Sequence, residues 1–387
     1  MVILSSLPAL LKVSLVFIFI LFLSKLRIHL SISLFIGAIS LGLWMGLCPA
    51  EIAKTILRSV SRSQTISLLM IVSLILTASH LMKEYEHLER IVNSFTNLTK
   101  DARIISAVMP SLIGLLPMPG GALFSAPMVE TALRENKIAS ELKTAINYWF
   151  RHVWEYWWPL YPGTVLAISL LKVTPWQFIA VQFPFSVISI STGIFFLLRP
   201  IKGIKRGGRG KASWAKIKKF LWETMPIIVV ILVIMVITLV IELIKILGFS
   251  ITVPATLTIL PGLATSIVWI AEVNHIVFSR IFSAFFKRNT APMLFLIVAI
   301  MIFQGILKDS NAVLQIRGEL AVHHIPSLAI IIVMPFISGF ITGIAVGFVG
   351  VSFPLIIPLF SDLSLFDYLT HASLAYASGY MGMILSP

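Results

Sequence analysis

Long uninterrupted runs of hydrophobic residues dominate the pattern of the chain. Seven of these runs are long enough to cross about 30 Å of hydrocarbon as helices. They cover residues 7–24, 30–47, 65–82, 178–198, 220–244, 251–270 and 291–307. None alternates with the period of two that marks a half-buried strand, and turn-forming residues cluster at their ends. The pattern therefore predicts an all-α polytopic protein.

An eighth predicted span, residues 144–172, contains a break at Pro159, Pro162 and Gly163. Proline removes a backbone donor and clashes with the preceding turn, so we expect the helix to open there. A ninth span, residues 371–387, ends in a comparable Leu-x-Pro sequence. Compared with the first half, we expect the second half to lack the rest of this helix and one further span. Either the sequence is truncated or the second copy has decayed.

Two more apolar segments, residues 104–129 and 328–360, are interrupted near the middle by glycine and proline. Three residues of the first segment recur 225 positions later in the second: Met109, Pro110 and Gly114 match Met334, Pro335 and Gly339. Each arm has about 12 or 13 residues, or about 19 Å of helix, which is too short to cross a bilayer. We therefore expect two re-entrant helical hairpins in addition to about nine spans.

The distribution of basic residues tests this topology. Residues 199–219 contain nine Lys or Arg and no acidic residue, so we assign this linker to the cytoplasm. Counting spans from the linker, with both interrupted segments as hairpins, places 21 of the 30 basic residues inside, 7 outside and 2 within the membrane. A full crossing at the first segment would move the basic residues of 83–103 outside. The count favours two repeats of inverted topology, residues 1–198 and 220–387.

Composition narrows the class of protein. Hydrophobic residues make up 58% of the 387 residues, charged residues only 12%, and the mean hydropathy is +0.98, so the chain is a membrane protein. The net charge of +14 comes from basic loops rather than a nucleic-acid surface. The single Cys48 excludes an internal disulfide framework. The chain has no Walker loop or GxSxG elbow, so we expect neither an ATP-driven pump nor an enzyme.

The two interruptions also predict a binding site, because lipid tolerates unpaired backbone only where it lines a cavity. The candidate binding residues at the two tips are Pro117, Met118, Pro119, Gly120, Gly121, Thr342, Gly343 and Gly347. Helix arms that begin at a tip direct the positive ends of their dipoles at a ligand, which favours an anion. Free carbonyls, together with Ser125, Ser352 or Ser386, are candidate ligands for a coupling Na⁺.

A plainer interpretation is that the glycines only allow close helix packing. Gly339, Gly343 and Gly347 have GxxxG spacing, as do Gly42 and Gly46. The occurrence of two interrupted segments at one offset, each followed by another helix break, favours the binding site.

Arg151 and Glu155 form a charged pair inside the eighth span, one helical turn apart. Charge in hydrocarbon is costly, so Arg151 is a candidate for gripping a substrate carboxylate, with Glu155 as its counter-ion or as a proton carrier. The alternative is an i,i+4 pair that neutralises itself and fixes the orientation of the helix. The sequence favours neither interpretation.

Aromatic and histidine residues near the spans have less specific interpretations. Tyr161 is a candidate binding residue, but the group Trp149, Trp154, Trp157, Trp158 and Tyr161 is more typical of an interfacial belt than of a stacking platform. His80, His152 and His371 are candidate proton relays. No metal-binding spacing accompanies them, so ordinary hydrogen-bonded histidines are the favoured interpretation.

Residues 116–123, Leu-Pro-Met-Pro-Gly-Gly-Ala-Leu, and residues 377–387, Ala-Ser-Gly-Tyr-Met-Gly-Met-Ile-Leu-Ser-Pro, resemble a prokaryotic membrane-protein family, domain of unknown function 401. That family is grouped with gluconate permeases, citrate transporters and divalent-anion:sodium symporters in the ion-transporter superfamily. The resemblance implies inverted repeats, a homodimer and a multi-pass location in the inner membrane, and adds Ser378 and Gly379 to the candidates. Family members continue into a last helix beyond Pro387, and the Ser-Asn-Thr signature of the sodium-coupled dicarboxylate branch is absent from both tips.

These features together predict a secondary active transporter of a small organic anion, coupled to H⁺ or Na⁺ by alternating access. Its expected partners are membrane lipid and the anion, with no nucleic acid and no resident cofactor. A channel lined by the two tips is one alternative. A membrane protein that does not transport, because its second repeat is incomplete, is another.

Overall fold

A computed structural model describes residues 7–118, 121–134, 138–201, 213–249, 255–287, 290–322, 326–360 and 362–386. Within these ranges the chain is all-helical, with eighteen α-helices and no β-strand. The helices of the first half are α1 Ala9–Lys25, α2 Leu30–Trp44, α3 Pro49–Ser61, α4 Ser63–Glu84, α5 His87–Thr96, α6 Ala102–Gly114, α7 Gly121–Ala132, α8 Ser140–His152, α9 Pro162–Leu171 and α10 Pro175–Gly193. Those of the second half are α11 Trp214–Ile246, α12 Ile259–Val273, α13 Phe278–Phe285, α14 Thr290–Asp309, α15 Ala312–Val322, α16 Ser327–Thr342, α17 Ala345–Ile356 and α18 Leu365–Ile384.

In the part of the chain that the structure describes, four helices are long and apolar enough to cross a membrane: α4, α10 with its continuation to Leu198, α11 and α14. In α10 and α11 only 28% and 22% of the most apolar stretch is buried, so these two helices present apolar surface outward, as lipid-facing helices do. These features are consistent with a membrane protein.

Two predicted spans are shorter than expected. The run 30–47 gives α2, which has 15 residues and ends because Gly46 takes a positive φ of 94° that closes the helix. The run 251–270 gives α12, also of 15 residues, and the start of that run lies outside the described residues. A helix of this length measures about 22 Å, less than the thickness of the hydrocarbon layer.

The interrupted segments form pairs of short helices. In the first segment α6 packs against α7, and in the second α16 packs against α17. The predicted break in the eighth span is also present, because α8 ends at His152 and a run of turns leads to Pro162, the first residue of α9. Proline suits that position because the first turn of a helix needs no backbone donor.

Helix boundaries repeat along the chain. The helices α5, α6, α7 and α8 begin 225, 225, 224 and 225 residues before α15, α16, α17 and α18. The end of α4 precedes the end of α14 by 225 residues, and both ends of α2 precede those of α12 by 229. The order of elements α1–α8 thus recurs as α11–α18, with α9 and α10 between the copies.

By contacts, the chain divides into two compact units. The first unit contains Met1–Val72, Pro162–Val181 and Lys287–Pro387. In it α14 packs against α2 and α3, α16 packs against α18, and α9 packs against α17. Buried Tyr376 is surrounded by the rings of Phe178, Phe348 and Phe353 and shares a 3.1 Å hydrogen bond with Thr164.

The second unit contains Ser73–Tyr161 and Gln182–Phe286. In it α6, α7 and α8 pack against one another, and α11 packs against α5 and α12. The core around α6, α7 and α8 includes Val129, Ile146 and Phe150, together with Leu198 from the continuation of α10.

A polar network joins α5, α11 and the end of α12 within the second unit. The Nε2 atom of His87 lies 2.8 Å from the carbonyl oxygen of Glu223, and Arg90 binds the Glu223 carboxylate at 3.2 Å. Arg90 also donates to Asn274 and contacts the Nδ1 atom of His87, both at 2.6 Å. Because a carbonyl only accepts, His87 carries its proton on Nε2. Burial lowers the pKa of His87 and favours this neutral form.

Candidate functional site

The first helix pair is held against α8 by a close backbone contact. A Cβ atom at Gly114 would overlap the carbonyl oxygen of Arg151, so only glycine lets the end of α6 approach α8 this closely. The tip follows this contact, with Pro117 half-buried and Met118 buried. Pro119 and Gly120, two predicted binding residues, lie outside the described residues.

Aromatic side chains cap the carboxyl end of α6. The indole nitrogens of Trp154 and Trp158 donate to the carbonyls of Ser111 and Leu115, both at 2.9 Å. The Tyr161 hydroxyl donates to the carbonyl of Gly114. Buried carbonyls at a helix end need such donors. The interfacial-belt prediction is therefore wrong for these three residues, which turn inward because the α6 carbonyls offer them partners.

Arg151 brings a full positive charge to this tip. Its side chain is 7% exposed, and its Nη2 atom lies 3.3 Å from the Met118 carbonyl oxygen. A Cβ atom at Gly121 would lie 2.5 Å from Nη2 and 2.7 Å from Nε, so glycine at the start of α7 leaves this edge of the guanidinium uncovered. The buried Nε has no hydrogen-bond acceptor among the described residues.

Glu155 lies beside Arg151, but the ion pair is long. The Glu155 Oε1 atom is 3.4 Å from Arg151 Nη1 and 3.8 Å from His152 Nε2. Charge-assisted hydrogen bonds are usually about 2.7–2.9 Å, so the pair is held loosely. Tyr161 also interacts with both members of the pair. The structure thus brings together Met118, Gly121, Arg151, Glu155 and Tyr161 from the predicted set.

Ser125 lies in the same unit, and its hydroxyl makes a contact between α7 and α8. Its hydroxyl is 2.5 Å from the Asn147 side-chain oxygen, and the Asn147 amide donates to the Ala122 carbonyl at 2.8 Å. These bonds fasten α7 to α8. Asn147 was not predicted, although its position one turn before Arg151 on α8 was a usable signal.

Four carbonyl oxygens at and beside the first tip already accept a hydrogen bond from a side chain, which leaves each of them fewer lone pairs for a cation. Ser111, Gly114, Leu115 and Met118 each have a side-chain donor on their carbonyl oxygen. A coupling Na⁺ needs oxygens that are free to turn toward it. The first tip, with Arg151 and the positive end of α7, favours an anion. Within the described residues no group of His, Cys, Asp or Glu is arranged to hold a metal ion.

The second tip lies in the first unit and is built differently. Gly343 takes a positive φ of 63° at the end of α16, which only glycine adopts readily. The Ser386 hydroxyl is close to Gly343, and the Thr342 hydroxyl donates to the Ser338 carbonyl at 2.7 Å. Gly347 allows close approach of the Thr342 side chain. This tip thus gathers Thr342, Gly343, Gly347 and Ser386.

The remaining predicted residues of the second half pack helices together. Ser352 is buried and donates to the carbonyl of Phe348 within α17 at 2.6 Å. Ser378 on α18 donates to the Ile332 carbonyl of α16 at 2.7 Å, and Gly379 meets Gly339 backbone to backbone. The packing interpretation therefore holds for Gly339. It fails for Gly46, where nothing lies within 4 Å of a Cβ atom.

The sequence matches the family described as "Protein of unknown function (DUF401)" over residues 3–387. The chain belongs to the DUF401 family. This match confirms the resemblance drawn from the Pro-Met-Pro-Gly-Gly segment. A comparison of this DUF401 chain with curated proteins found no match. The relation to gluconate permeases, citrate transporters and divalent-anion symporters stays a prediction.

In this DUF401 protein, the candidate site that contains charged side chains lies in the second unit. Its chemistry consists of a buried guanidinium with an open edge, a loosely paired carboxylate and the amino end of a helix. Such an arrangement can bind a carboxylate, because the guanidinium edge matches its two oxygens.

Proposed function

We propose that this protein is a secondary active transporter that moves a small organic anion across the membrane by alternating access, with Arg151 binding the carboxylate of the substrate. The observation that carries the proposal is the buried Arg151 guanidinium, whose Nε atom has no acceptor among the described residues. A buried charge with an unused donor is costly unless a ligand completes it. Gly121 leaves room for that ligand.

The alternative role for Arg151 is a structural ion pair that fixes helix orientation. This role explains fewer of the observed features of the guanidinium. A structural pair would gain most from short contacts, yet the Arg151–Glu155 distance is 3.4 Å. A structural pair also gives no reason for an uncovered guanidinium edge beside a glycine.

Two features support the expected topology of inverted repeats with re-entrant hairpins. Helix boundaries recur at an offset close to 225 residues. The network of His87 and Arg90 with Glu223 supports a common side for the loop 83–103 and the basic linker that precedes α11. A shared side is what a first segment that enters and leaves by the same face requires. Such repeats are the usual framework for alternating access.

The comparison of the two halves favours a substrate with one anionic group. At the offset of 225, Arg151 corresponds to Tyr376 and Glu155 to Tyr380. The charged pair is thus present in the first repeat, and tyrosines occupy the matching positions of the second. One guanidinium neutralises one carboxylate, so we expect monocarboxylates to be preferred to dicarboxylates.

Counterflow in liposomes tests the proposal. The purified protein would be reconstituted with unlabelled lactate, gluconate, succinate or citrate inside, and uptake of the same labelled compound would be followed. We expect saturable counterflow for a monocarboxylate, its loss in Arg151→Gln, and its retention in Arg103→Gln, where an exposed arginine pairs with Asp101 outside the spans.

Flux that saturates and shows counterflow would also exclude a channel. Counterflow by Arg151→Gln at the wild-type rate would remove Arg151 from the site. Absence of counterflow with all four compounds would contradict the transporter.

A further inference from the structure

His152 is the last residue of α8, and Glu155 lies close to it in the turn that follows. The contacts of these two side chains restrict which of their atoms can carry a proton. The Nδ1 atom of His152 is 2.6 Å from the carbonyl oxygen of Tyr148. A carbonyl oxygen only accepts, so Nδ1 carries a proton. In neutral His152 the other nitrogen, Nε2, is therefore an acceptor, and it is the atom that faces Glu155 Oε1 at 3.8 Å.

The Tyr161 hydroxyl imposes a second restriction. Its single proton is given to the carbonyl of Gly114. The hydroxyl also interacts with Glu155, and its oxygen keeps lone pairs that can accept a hydrogen bond. Neutral His152 and Tyr161 thus both present acceptors to the carboxyl group, which suits a protonated Glu155.

Several titratable or charged groups face Glu155, and Arg151 is the permanent charge that contacts it at 3.4 Å. Others are His152 and Tyr148 on α8 and Tyr161 from the turn that follows. Arg151 is the cation that pairs with Glu155. When Arg151 binds another carboxylate, Glu155 shares or loses that cation.

From this geometry we infer that Glu155, which lies beside His152, binds the proton that is co-transported with the anion. The inference rests on the proposed function and names its coupling ion. In the empty site, Arg151 and the Glu155 carboxylate sum to zero charge. Loading adds one substrate carboxylate to Arg151 and one H⁺ to a Glu155 oxygen, with Nε2 of His152 accepting the new O–H.

The loaded site is also neutral, because the added negative and positive charges cancel. On the other side of the membrane the substrate leaves, Glu155 releases its H⁺ to water, and the carboxylate pairs again with Arg151. No charged intermediate has to cross the hydrocarbon layer, which avoids the cost of an unpaired buried charge. Transport is therefore electroneutral, with one proton per carboxylate.

Accumulation against a gradient tests the inference separately from transport itself. Proteoliposomes with the membrane potential clamped by K⁺ and valinomycin would receive labelled lactate or gluconate under a pH difference or a Na⁺ difference. For the wild type we expect about tenfold accumulation per unit of inside-alkaline pH, since one proton moves with each anion. A Na⁺ gradient alone should give none.

Glu155→Gln should lose accumulation driven by the pH difference by a larger factor than it loses counterflow at equal pH. His152→Gln should also lose accumulation, and it decides the question if Glu155→Gln does not fold. The matched control is His371→Gln, because His371 also places Nδ1 at 2.7 Å from the carbonyl four residues earlier but pairs with no carboxylate in the described part of the chain.

Accumulation by both variants at the wild-type level, or accumulation of the wild type driven by Na⁺, would overturn the assignment while leaving the transporter in place. Absence of counterflow by the wild type would instead remove both the transporter and its coupling site.

Discussion

Gly121 is the position where the proposed site is most sensitive to a single added carbon. In Gly121→Ala the new Cβ would lie 2.5 Å from Nη2, 2.7 Å from Nε and 3.0 Å from Cζ of Arg151. Ordinary contact begins at 3.4 Å, so the guanidinium has to withdraw by about 0.9 Å. The end of a flexible side chain can make this shift, and the helix should form normally. The displaced guanidinium no longer meets a carboxylate at the start of α7.

A displacement of about 1 Å in a positioned group costs about 100-fold in rate, or about 2.7 kcal/mol. We therefore expect the initial rate of monocarboxylate uptake at low concentration to fall about 100-fold in Gly121→Ala. Uptake by proteoliposomes would be measured over a range of concentrations, together with the thermal unfolding midpoint of the purified protein in detergent.

Gly318→Ala is the matched control, because nothing lies within 4 Å of a Cβ atom at that position in α15. It should leave both uptake and the unfolding midpoint unchanged. If Gly121→Ala transports at the wild-type rate, or loses rate only in proportion to a lower unfolding midpoint, the uncovered edge of Arg151 does not bind the substrate.

Three further changes test other parts of the structure. Trp158→Phe removes the indole donor and leaves the buried Leu115 carbonyl without it, so the free energy of unfolding should fall by about 1–3 kcal/mol, measured as a lower unfolding midpoint; an unchanged midpoint would refute the capping role. Burial lowers the pKa of His87, so the folded protein binds fewer protons than the unfolded chain once the pH falls below about 6.5. The unfolding midpoint should therefore drop between pH 7.5 and pH 5, and His87→Gln should reduce the dependence; equal slopes in both proteins would contradict this. Cys48 is exposed and lies in a loop that the charge count places outside, so a membrane-impermeant maleimide should label it in intact cells, whereas labelling only after lysis would reverse the topology.

The helical breaks were readable from sequence because they depend on local chemistry. Pro162 had to begin a helix or interrupt one, and the structure puts it at the first position of α9. The arms were predicted at about 104–116 and 118–129 and are observed at Ala102–Gly114 and Gly121–Ala132. The offset of 225 recurs at the starts of α5, α6 and α8 and their counterparts in the second half, whereas the ends of α2 and α12 differ by 229.

Contacts between distant segments were harder to predict. Trp154 and Trp158 belong to an aromatic group that is typical of an interfacial belt. Only the packed structure shows that carbonyls of α6 and the turn after it are their partners. The sequence predicted Gly46 to be a packing glycine, but it ends α2 with a positive φ. The residue type alone does not show whether a glycine adopts a positive φ. The importance of Arg151 was predicted from its position in an apolar run. The open Nε edge, on which its proposed binding role rests, required coordinates.

A cryo-EM map of the protein with a saturating concentration of a transported monocarboxylate tests the central claim most directly. The account predicts density for the carboxylate within about 3 Å of the Arg151 guanidinium, beside Gly121, with Glu155 turned away from the arginine. A map in which Arg151 stays paired with Glu155 while the carboxylate binds elsewhere, away from the start of α7, would contradict it.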